Sequence, residues 1–441
     1  MNMKKLLLFS VALIGFSAQA QFWTEKAIGV TTANRGVDNI SIVDENVVWV
    51  KTYDGSGAAS QTVKDISRSI DGGETWTPAT FGGIGTGTLG MGNLHAISAT
   101  TAWIAAFPTG AQAGGIYKTT NGGSTWVKQT TALFNQAESF ANLVYFWDAN
   151  NGVAQGDPQG GYFEIYTTTN GGTTWVRVPS ANIPTPLAGE YGYTNNYDVV
   201  NNTMWFGTNM GRLFKSTDQG MTWEVNTSPV TDFGSATMSA SYSFSDEMKG
   251  IMNTSAGMNY ITNDGAETWT PIAGSGLFFN DIEYIPGTSK VVATGLPTLS
   301  YGTYYSYDDG VTWMEGETAT QTTELEFLSE TVGYGGGFVT NATDGGIYKY
   351  TGTQLGTGNF TALRQISASP NPTNGMLQLV NQTTSINNVV VYDLLGKQVF
   401  SSAYGSLNEV NVDLTNLQTG AYILRATNDV GGVETIKILK N

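Results

Sequence analysis

The sequence contains no cysteine and little charge. Without cysteine, a disulfide framework, a thiolate nucleophile and a cysteine-ligated zinc site are all excluded. Charged residues make up only 13% of the 441 residues, and 20 basic residues face 36 acidic ones, for a net charge of −16. Because nucleic-acid binding requires a surface rich in lysine and arginine, this balance excludes nucleic acid as a partner.

Long apolar stretches are also missing, except at the N-terminus. There, Lys4 and Lys5 precede the apolar run "LLLFSVALIGF" and the small-residue segment "SAQA". This order is typical of a secretory signal peptide over residues 1–20, with cleavage between Ala20 and Gln21. No later run is long enough to cross a bilayer, so we expect no transmembrane segment in the mature chain.

Glycine and aromatic residues are abundant, and a short motif recurs among them. The motif combines a Ser or Thr, an Asp or Asn two residues later, glycine and a closing tryptophan, which is turn chemistry followed by a large packing side chain. The six copies are "SIDGGETW" (69–76), "TTNGGSTW" (119–126), "TTNGGTTW" (168–175), "STDQGMTW" (216–223), "TNDGAETW" (262–269) and "SYDDGVTW" (306–313). Their tryptophans are 44 to 50 residues apart, which is the length of one four-stranded propeller blade.

Seven strand pairs precede or follow these six motifs, so one unit lacks its motif. The last unit ends at "GGIYKY" (345–350) without a tryptophan, whereas "FWTEKAIG" (22–29) resembles the strands that follow the other motifs. Trp23 would then supply the seventh tryptophan. The sequence therefore predicts an all-β chain whose residues 21–355 form a seven-bladed β-propeller closed by its N-terminal strand.

The motif resembles the Asp-box, or BNR, repeat of sialidases, sortilin-type receptors, some glucan hydrolases and photosystem assembly-factor-like propellers. Asn121 and Asn170 depart from the pattern because they replace Asp, and Ala266 replaces the second glycine. In that family the box lies on a peripheral turn. The resemblance thus implies that the motif builds the fold and does not perform catalysis.

The pattern changes after a Gly/Thr-rich linker at 356–364. Residues 365–441 contain "SPNP" (369–372), "VYDLLGKQV" (391–399), "LQTGAYIL" (417–424) and a final "KILK", which predict a small antiparallel Ig-like β-sandwich. These motifs resemble the type A C-terminal sorting domain of the type IX secretion system of Bacteroidetes-type bacteria. The resemblance implies that this segment contacts the secretion machinery and that the protein is secreted or attached to the outer cell surface after passing through the periplasm.

Sialidase chemistry requires three arginines that grip a substrate carboxylate. The predicted propeller contains four arginines, of which Arg68 and Arg177 flank boxes and should be peripheral. Arg35 and Arg212 remain near the channel mouth, where we regard them as candidate ligand-binding residues. Two arginines do not form the required cluster, so sialidase activity is disfavoured.

Another glycosidase would need two carboxylates on either side of one bond. Asp281 and Glu283 alternate on one inner strand, and Glu324 and Glu326 alternate on the next, so these four are candidate catalytic residues. Asp38 and Asp198 begin equivalent regions. The alternative interpretation is that these carboxylates only line a solvated channel, and spacing alone does not separate the two.

Four further residues are candidate ligand contacts. His95, which we place at the start of an inner strand, has no neighbouring nucleophile or second histidine, so it forms neither a triad nor a metal site. Asp157 begins a turn on the channel face, and Tyr191 and Tyr193 could stack on a sugar ring or receive a peptide. The box turns lack the ligand spacing of a calcium loop, so no metal or other cofactor is predicted.

Two functions remain open from the sequence. The first is a non-catalytic module that binds an extracellular glycan or protein. The alternative is a polysaccharide glycoside hydrolase with a carboxylate pair at the channel mouth. A purely structural surface module is a third interpretation, and the sequence favours a protein that is not an enzyme.

Overall fold

The computed structural model describes residues 22–57, 62–82, 88–235, 239–272, 279–295, 301–318, 320–352, 366–381, 385–393, 397–428 and 433–441. The predicted signal peptide with its cleavage site at Ala20 and Gln21, and the linker at 356–364, lie outside these ranges. The chain divides into two compact units, one before and one after residue 358. Each unit is described separately below.

The first unit is built from antiparallel strands, with one 3-10 turn at Ser180–Asn182 among the described residues. The first half of its strands are β1 (Trp23–Ala27), β2 (Arg35–Ile42), β3 (Val48–Asp54), β4 (Asp65–Ser69), β5 (Thr77–Thr80), β6 (Leu89–Ala96), β7 (Ala102–Pro108), β8 (Gly115–Thr119), β9 (Val127–Lys128), β10 (Ala141–Phe146), β11 (Gly152–Pro158), β12 (Phe163–Thr168), β13 (Val176–Arg177) and β14 (Gly192–Val200). The second half are β15 (Thr203–Thr208), β16 (Arg212–Ser216), β17 (Glu224–Thr227), β18 (Ala240–Phe244), β19 (Gly250–Thr254), β20 (Asn259–Thr262), β21 (Thr270–Ile272), β22 (Phe279–Tyr284), β23 (Val291–Gly295), β24 (Thr303–Ser306), β25 (Met314–Glu317), β26 (Leu325–Ser329), β27 (Val332–Asn341) and β28 (Asp344–Tyr350).

These strands pair in sets of four. Five separate sheets contain β6 to β9, β10 to β13, β14 to β17, β18 to β21 and β22 to β25. An eight-stranded sheet contains β2 to β5 together with β26, β27, β28 and β1, joined where Gly36 pairs with Phe338. The N-terminal strand β1 pairs with β28, so that Trp23 lies opposite Tyr350. The first and last segments of the unit therefore share one set of strands.

The sets follow one another around a ring. The first strand of each set contacts the first strand of the next, and β26 returns to β2. Apolar side chains of consecutive sets pack into shared clusters, as where Trp103 stacks on Phe146 at 3.6 Å and Trp205 stacks on Phe244 at 3.8 Å. Burial of these aromatic side chains stabilises the contact between sets. The unit is thus a β-propeller, as the sequence predicts.

The six boxes form the turns between the third and fourth strands. In the first, the Ser69 hydroxyl accepts the Gly73 N–H at 2.8 Å, while Asp71 accepts both the N–H and the hydroxyl of Thr75. The same contacts recur around Asp218, Asp264 and Asp308. In the Asn boxes, the Asn121 amide nitrogen donates to the Thr125 hydroxyl, so the turn keeps its shape. These turns use their polar side chains internally.

The second unit is a small β-sandwich. Its strands are β29 (Ile366–Ser369), β30 (Met376–Asn381), β31 (Ile386–Asp393), β32 (Gln398–Leu407), β33 (Glu409–Asp413), β34 (Gly420–Asn428) and β35 (Val433–Lys440). One sheet has the order β29, β30, β33 and the other the order β32, β31, β34, β35, and both contribute to one apolar core. The Asn371 side chain bonds the backbone of Lys437 and Leu439, which ties the "SPNP" segment to the last strand.

Candidate functional site

The first strands of the sets surround a central channel with a cavity of about 420 Å³. Strand register defines two rings of channel residues. In each set, one residue of the first strand lies opposite a residue near the start of the second strand, and these first-strand residues form the inner ring. They are Ser41, His95, Tyr145, Asp198, Ser243, Glu283 and Glu326. The mouth ring consists of the residues two positions earlier in the chain, Asn39, Asn93, Leu143, Asn196, Ser241, Asp281 and Glu324, and all of these except Asn93 and Leu143 line the channel cavity. Since side chains alternate along a strand, both rings face the same side.

Many ring side chains hold neighbouring sets together. Asn39 accepts the Leu94 N–H at 2.6 Å, and Asn93 accepts the Val144 N–H at 2.8 Å. Asp281 occupies the mouth-ring position of these asparagines and accepts the Leu325 N–H at 2.7 Å.

The inner ring makes equivalent contacts. Ser41 accepts the Ala96 N–H, Asp198 accepts the Phe244 N–H, and Ser243 accepts the Tyr284 N–H. Serine and aspartate make the same contact at these positions. The carboxylate of Asp198 therefore accepts a hydrogen bond from the backbone, as the serine hydroxyls do. The same holds for Asp281 beside the asparagines, so neither carboxylate needs a catalytic role to explain its position.

The structure brings all four candidate catalytic carboxylates into this channel. Burial raises the pKa of Glu326 to about 8, with repulsion from Asp198 and Asp281 as the further causes. Burial and neighbouring carboxylates also raise the pKa of Glu283 and Glu324 well above the usual value. Burial raises the pKa of Asp281, while its hydrogen bonds oppose that shift. The channel therefore disfavours simultaneous ionisation of its acids.

His95 does not offset this negative charge. Burial lowers its pKa to about 4, and its Nε2 lies 2.9 Å from the carbonyl oxygen of Phe146. The ring also packs against Tyr145, with centroids 4.2 Å apart. The prediction that His95 begins its strand is wrong: β6 already starts at Leu89, so His95 is its penultimate residue and sits inside the channel.

The channel opens into a wider cavity of about 820 Å³, here called the mouth cavity. Strand residues build most of its walls, and the loops between second and third strands and between successive sets supply the rest. Five aromatic side chains line it: Tyr53, Phe107, Tyr193, Phe233 and Phe338. Glu324 and Asn195 line both cavities, so the two are continuous. The arrangement is a polar, acidic shaft beneath an aromatic rim.

Asn195 shapes the junction between the two cavities. It has a backbone φ of +56°, and the register of β14 shifts between Gly192 and Tyr197, so the strand bulges at this point. Its amide nitrogen donates to the Asp38 carbonyl at 3.2 Å and to Glu324 Oε1 at 3.1 Å. This single side chain links three of the sets across the mouth.

The two candidate arginines are engaged elsewhere. Arg35 pairs with Asp65 at 3.0 Å and with Asp54 at 3.5 Å. Arg212 donates to the buried carboxylate of Glu190 through two nitrogens. Neither arginine is among the residues that line the channel or the mouth cavity. The ion pairs of Arg35 and Arg212 join segments of the fold, so both guanidinium groups already have partners within the protein.

The other candidate ligand contacts lie near the mouth in different settings. Asp157 accepts hydrogen bonds from Asn142 at 2.8 Å and from the Gly192 N–H at 3.1 Å, and burial raises its pKa to about 6. It thereby connects β11 to the start of β14. Tyr193 lines the mouth cavity and donates to Asp232, while Tyr191 packs against it with 42% of its surface exposed.

Sequence reasoning missed Lys51, Asn195 and Thr322. Lys51 lies in the middle of a strand that reads as apolar and small, yet its ammonium reaches Asp38 at 2.7 Å. Thr322 precedes β26 in a Thr-rich segment that carries no motif. The bulge of β14 and the segment before β26 bring Asn195 and Thr322 to the mouth, and neither feature has a distinct sequence signal.

No helix among the described residues is long and apolar enough to cross a membrane. The described residues also contain no cluster of three or more His, Cys, Asp or Glu side chains arranged to hold a metal ion. The acids of the channel therefore face each other without forming a metal-binding set.

Comparison with known proteins identifies the tail and supports the fold of the larger unit. Residues 367–441 match the family model of the secretion system C-terminal sorting domain. The tail therefore marks the protein for export by a type IX secretion system to the cell surface or exterior. No curated protein matches the chain.

The solved structures similar to this chain include two of YCF48. YCF48 bound to a D1 peptide has 16% identity and a TM-score of 0.54, covering 77% of this chain and 98% of its own. YCF48 from Cyanidioschyzon merolae also has 16% identity, a TM-score of 0.52, and coverage of 76% and 100%. At this identity the likeness extends to the fold alone. PorZ of Porphyromonas gingivalis covers 93% of this chain and 70% of its own at 13% identity, but its TM-score is only 0.29.

The protein is thus an exported β-propeller with a C-terminal sorting domain.

Proposed function

We propose that this protein is a seven-bladed Asp-box propeller that binds an extracellular glycan or protein at the mouth cavity without catalysis. The observation that carries the proposal is the mouth cavity itself, an open concavity with an aromatic rim above polar side chains. Recognition sites commonly combine apolar walls with a few placed polar groups. Tyrosine and phenylalanine supply contact area at low entropic cost, and both occur here.

The assignment of seven blades rests on the four-stranded sets and on the six boxes. Each set has an inner strand at the channel, and in each of the six box-containing sets the box lies at the turn before the outer strand. Trp23 of β1 supplies an aromatic side chain to the remaining set, where it packs on Phe22 and Tyr350. This arrangement supports the Asp-box interpretation.

Absence of catalysis is supported by what the channel acids already do. Asp281 accepts the Leu325 N–H and the Ser241 hydroxyl, and Asp198 accepts two backbone N–H groups. A nucleophile needs a free oxygen directed at the substrate. One of the YCF48 structures holds a peptide, which is consistent with ligand binding by this fold.

A glycoside hydrolase is the second candidate. The raised pKa of Glu283 and Glu326 favours it, since a general acid must hold its proton near neutral pH. In this version Glu326 donates a proton to the leaving group and a second channel carboxylate acts as nucleophile or base. The narrow channel, rather than the mouth cavity, would be the catalytic site.

A paired assay separates these functions. The exported chain is screened on glycan and peptide arrays, and release of reducing sugar is measured from the same polysaccharides. We expect binding without sugar release. Saturable sugar release that disappears in Glu326→Gln would contradict the binding proposal and establish the hydrolase.

A further inference from the structure

Several buried side-chain oxygens at the mouth cavity lack a hydrogen-bond partner. Among the described residues that line it, four buried side-chain oxygens have no hydrogen-bond partner: Asp38 Oδ1, Asn195 Oδ1, Gln321 Oε1 and Thr322 Oγ1. Thr322 is only 1% exposed, so its hydroxyl is shielded from bulk solvent. Burying a polar atom without a hydrogen-bond partner is unfavourable, and four such atoms, three acceptors and one hydroxyl, around one cavity require an explanation.

Flipping the side-chain amides of Asn195 and Gln321 would not give their oxygens hydrogen-bond donors. The Asn195 nitrogen already donates to Asp38 and Glu324, and the Gln321 nitrogen donates to Thr294 and Gly295. Flipping either amide would place an oxygen against these acceptors. The nitrogens are therefore fixed, and the oxygens remain available on the cavity side.

The ionisable side chains around these oxygens are mostly acidic. Seven carboxyl side chains line the mouth cavity or the channel beneath it: Asp38, Asp54, Asp198, Asp281, Glu283, Glu324 and Glu326. Asp54 is paired with Arg35. Lys51 is the one lysine or arginine among the described lining residues, and its ammonium is already bound to Asp38. His95 donates no positive charge because burial keeps it neutral. Both the unpaired acceptors and the unpaired charges thus call for a ligand that is cationic and rich in donors.

We infer that the mouth cavity binds the guanidinium or ammonium group of a basic side chain presented by an extracellular peptide segment. This inference rests on the proposed binding function and names its ligand class. A guanidinium offers five N–H donors and an ammonium three, whereas a carboxylate or phosphate offers acceptors only. The cation would enter past the aromatic rim and lie between Asn195, Thr322 and Glu324. Cations also interact favourably with aromatic faces of the kind found at this rim.

A peptide fits the entrance better than an isolated ion. The mouth cavity of about 820 Å³ is wider than the channel of about 420 Å³, so it accommodates backbone while one side chain points inward. Phe338 is 42% exposed at the rim and offers an apolar surface for neighbouring residues of the peptide. The described lining contains no three-acid cluster arranged for a metal ion.

The test is isothermal calorimetry with the full exported chain and three probes. The probes are a capped Gly-Gly-Arg-Gly-Gly peptide, the same peptide with uncharged citrulline in place of arginine, and spermidine. We expect the arginine peptide to bind and the citrulline peptide to bind at least about tenfold more weakly, since one charge-assisted contact contributes that much. Equal affinity for both peptides, or no binding of the arginine peptide, would overturn the inference. Tight binding of spermidine without binding of the peptide would show that the ligand of the mouth cavity is not a peptide.

Three variants locate the site. Glu324→Gln removes a carboxyl group that a bound cation would hold ionised beside Asn195, and we expect about a tenfold loss of arginine-peptide affinity. Thr322→Val keeps the shape but removes the unpaired hydroxyl, so folding should be unaffected while affinity falls a few-fold. Glu267→Gln makes the same charge change at an exposed box-turn position and should leave binding unchanged. An equal loss in Glu267→Gln would show that only net charge matters and would contradict the site.

The array screen separates failure of this inference from failure of the proposed function. If a glycan binds at the mouth but the arginine peptide does not, the cationic ligand is wrong and the binding module stands. If neither arrays nor peptides give any binding, both are wrong.

Discussion

The box turns occur in six sets and the channel rings in all seven, each at equivalent positions, but the two regions use the repeat differently. In the boxes the same side chains return with the same contacts: Asp71 and Asp308 each accept a threonine N–H at 2.8 Å. In the inner ring, equivalent positions hold serine, histidine, tyrosine, aspartate and glutamate. Repetition of one chemistry indicates a structural element, whereas variation at one register position indicates a surface adapted to particular contacts.

The acids of the two regions also differ in their electrostatics. Hydrogen bonds from Thr75 lower the pKa of Asp71 to about 2, so the ionised form is favoured in the fold. Burial raises the pKa of Glu326 to about 8, so its ionised form is disfavoured. Stability contributed by the box acids is therefore lost as the pH falls, and stability contributed by the channel acids is lost as the pH rises.

The largest expected effect is the pH dependence of the propeller unit. A carboxyl with a raised pKa binds its proton in the folded state but not in the unfolded state between about pH 4.3 and pH 8. Each such group lowers the free energy of unfolding by up to about 1.4 kcal/mol per pH unit across that window. All eleven tryptophans lie between Trp23 and Trp313, so tryptophan fluorescence reports unfolding of this unit alone within the full chain.

We expect the wild-type unit to be less stable at pH 8.5 than at pH 5.5 by roughly 2 to 4 kcal/mol in urea titrations. Glu326→Gln should remove a large part of that difference, because glutamine does not ionise. The control is Glu267→Gln, which should retain the wild-type pH dependence. If the free energy of unfolding of the wild-type chain did not change with pH, the burial of the channel acids would be contradicted.

The next effect is loss of a box acid. Asp218 accepts the N–H of Thr222 at 2.8 Å, its hydroxyl at 2.6 Å, and the Ser216 hydroxyl at 2.9 Å. Asp218→Ala should cost about 2 kcal/mol at pH 7, since three hydrogen bonds to one turn side chain are lost. Asp218→Asn reproduces the natural Asn121 box and should cost less than half as much. Equal losses in both variants would show that charge, rather than turn geometry, stabilises the box.

An intermediate effect is expected at Asp198, where a channel acid has a structural contact. Asp198→Ala leaves the buried Phe244 N–H without an acceptor, whereas Asp198→Asn preserves one, as Asn39 does for Leu94. The alanine variant should be less stable than the asparagine variant by about 1 to 2 kcal/mol at pH 5.5. Identical urea midpoints for the two variants would rule out the proposed role as a backbone acceptor.

The smallest effect concerns the one box that replaces its second glycine. Ala266 has a φ of +79°, a region that is unfavourable for any residue with a Cβ. Ala266→Gly should raise stability by about 0.5 to 1 kcal/mol. The reciprocal change Gly172→Ala, at φ +84° in the third box, should lower it, and the nearby Gln129 side chain adds a steric cost. We expect the changes in the free energy of unfolding to have opposite signs in the two variants, as measured in urea titrations.

The sequence predicted the propeller because its repeated turn is encoded locally. The spacing of six tryptophans and the similarity around Trp23 indicated the strand sets, and alternation along one strand placed Asp281 and Glu283 on a common face. The tail motifs likewise predicted the sandwich that the structure shows.

The mouth could not be predicted in the same way. Asn195 reaches Glu324 only because β14 bulges, and Thr322 lines the cavity only because a connecting loop returns to the ring. No sequence feature indicated that Arg212 would be held by Glu190, since strands β14 and β15 lie between the two residues in the chain. Such contacts depend on loop geometry, for which local propensity carries little information.

The central claim is that the mouth cavity binds the ligand, whereas the box turns stabilise the fold. A matched pair of substitutions tests this claim most directly. Thr194 is exposed and lines the mouth cavity, while Thr173 is exposed in a box turn. Thr194→Trp and Thr173→Trp are compared for binding of the strongest array ligand, with tryptophan-monitored unfolding as the check on folding. The account predicts that Thr194→Trp abolishes binding and Thr173→Trp preserves it. Full binding by Thr194→Trp, or equal loss in both folded variants, would contradict the account.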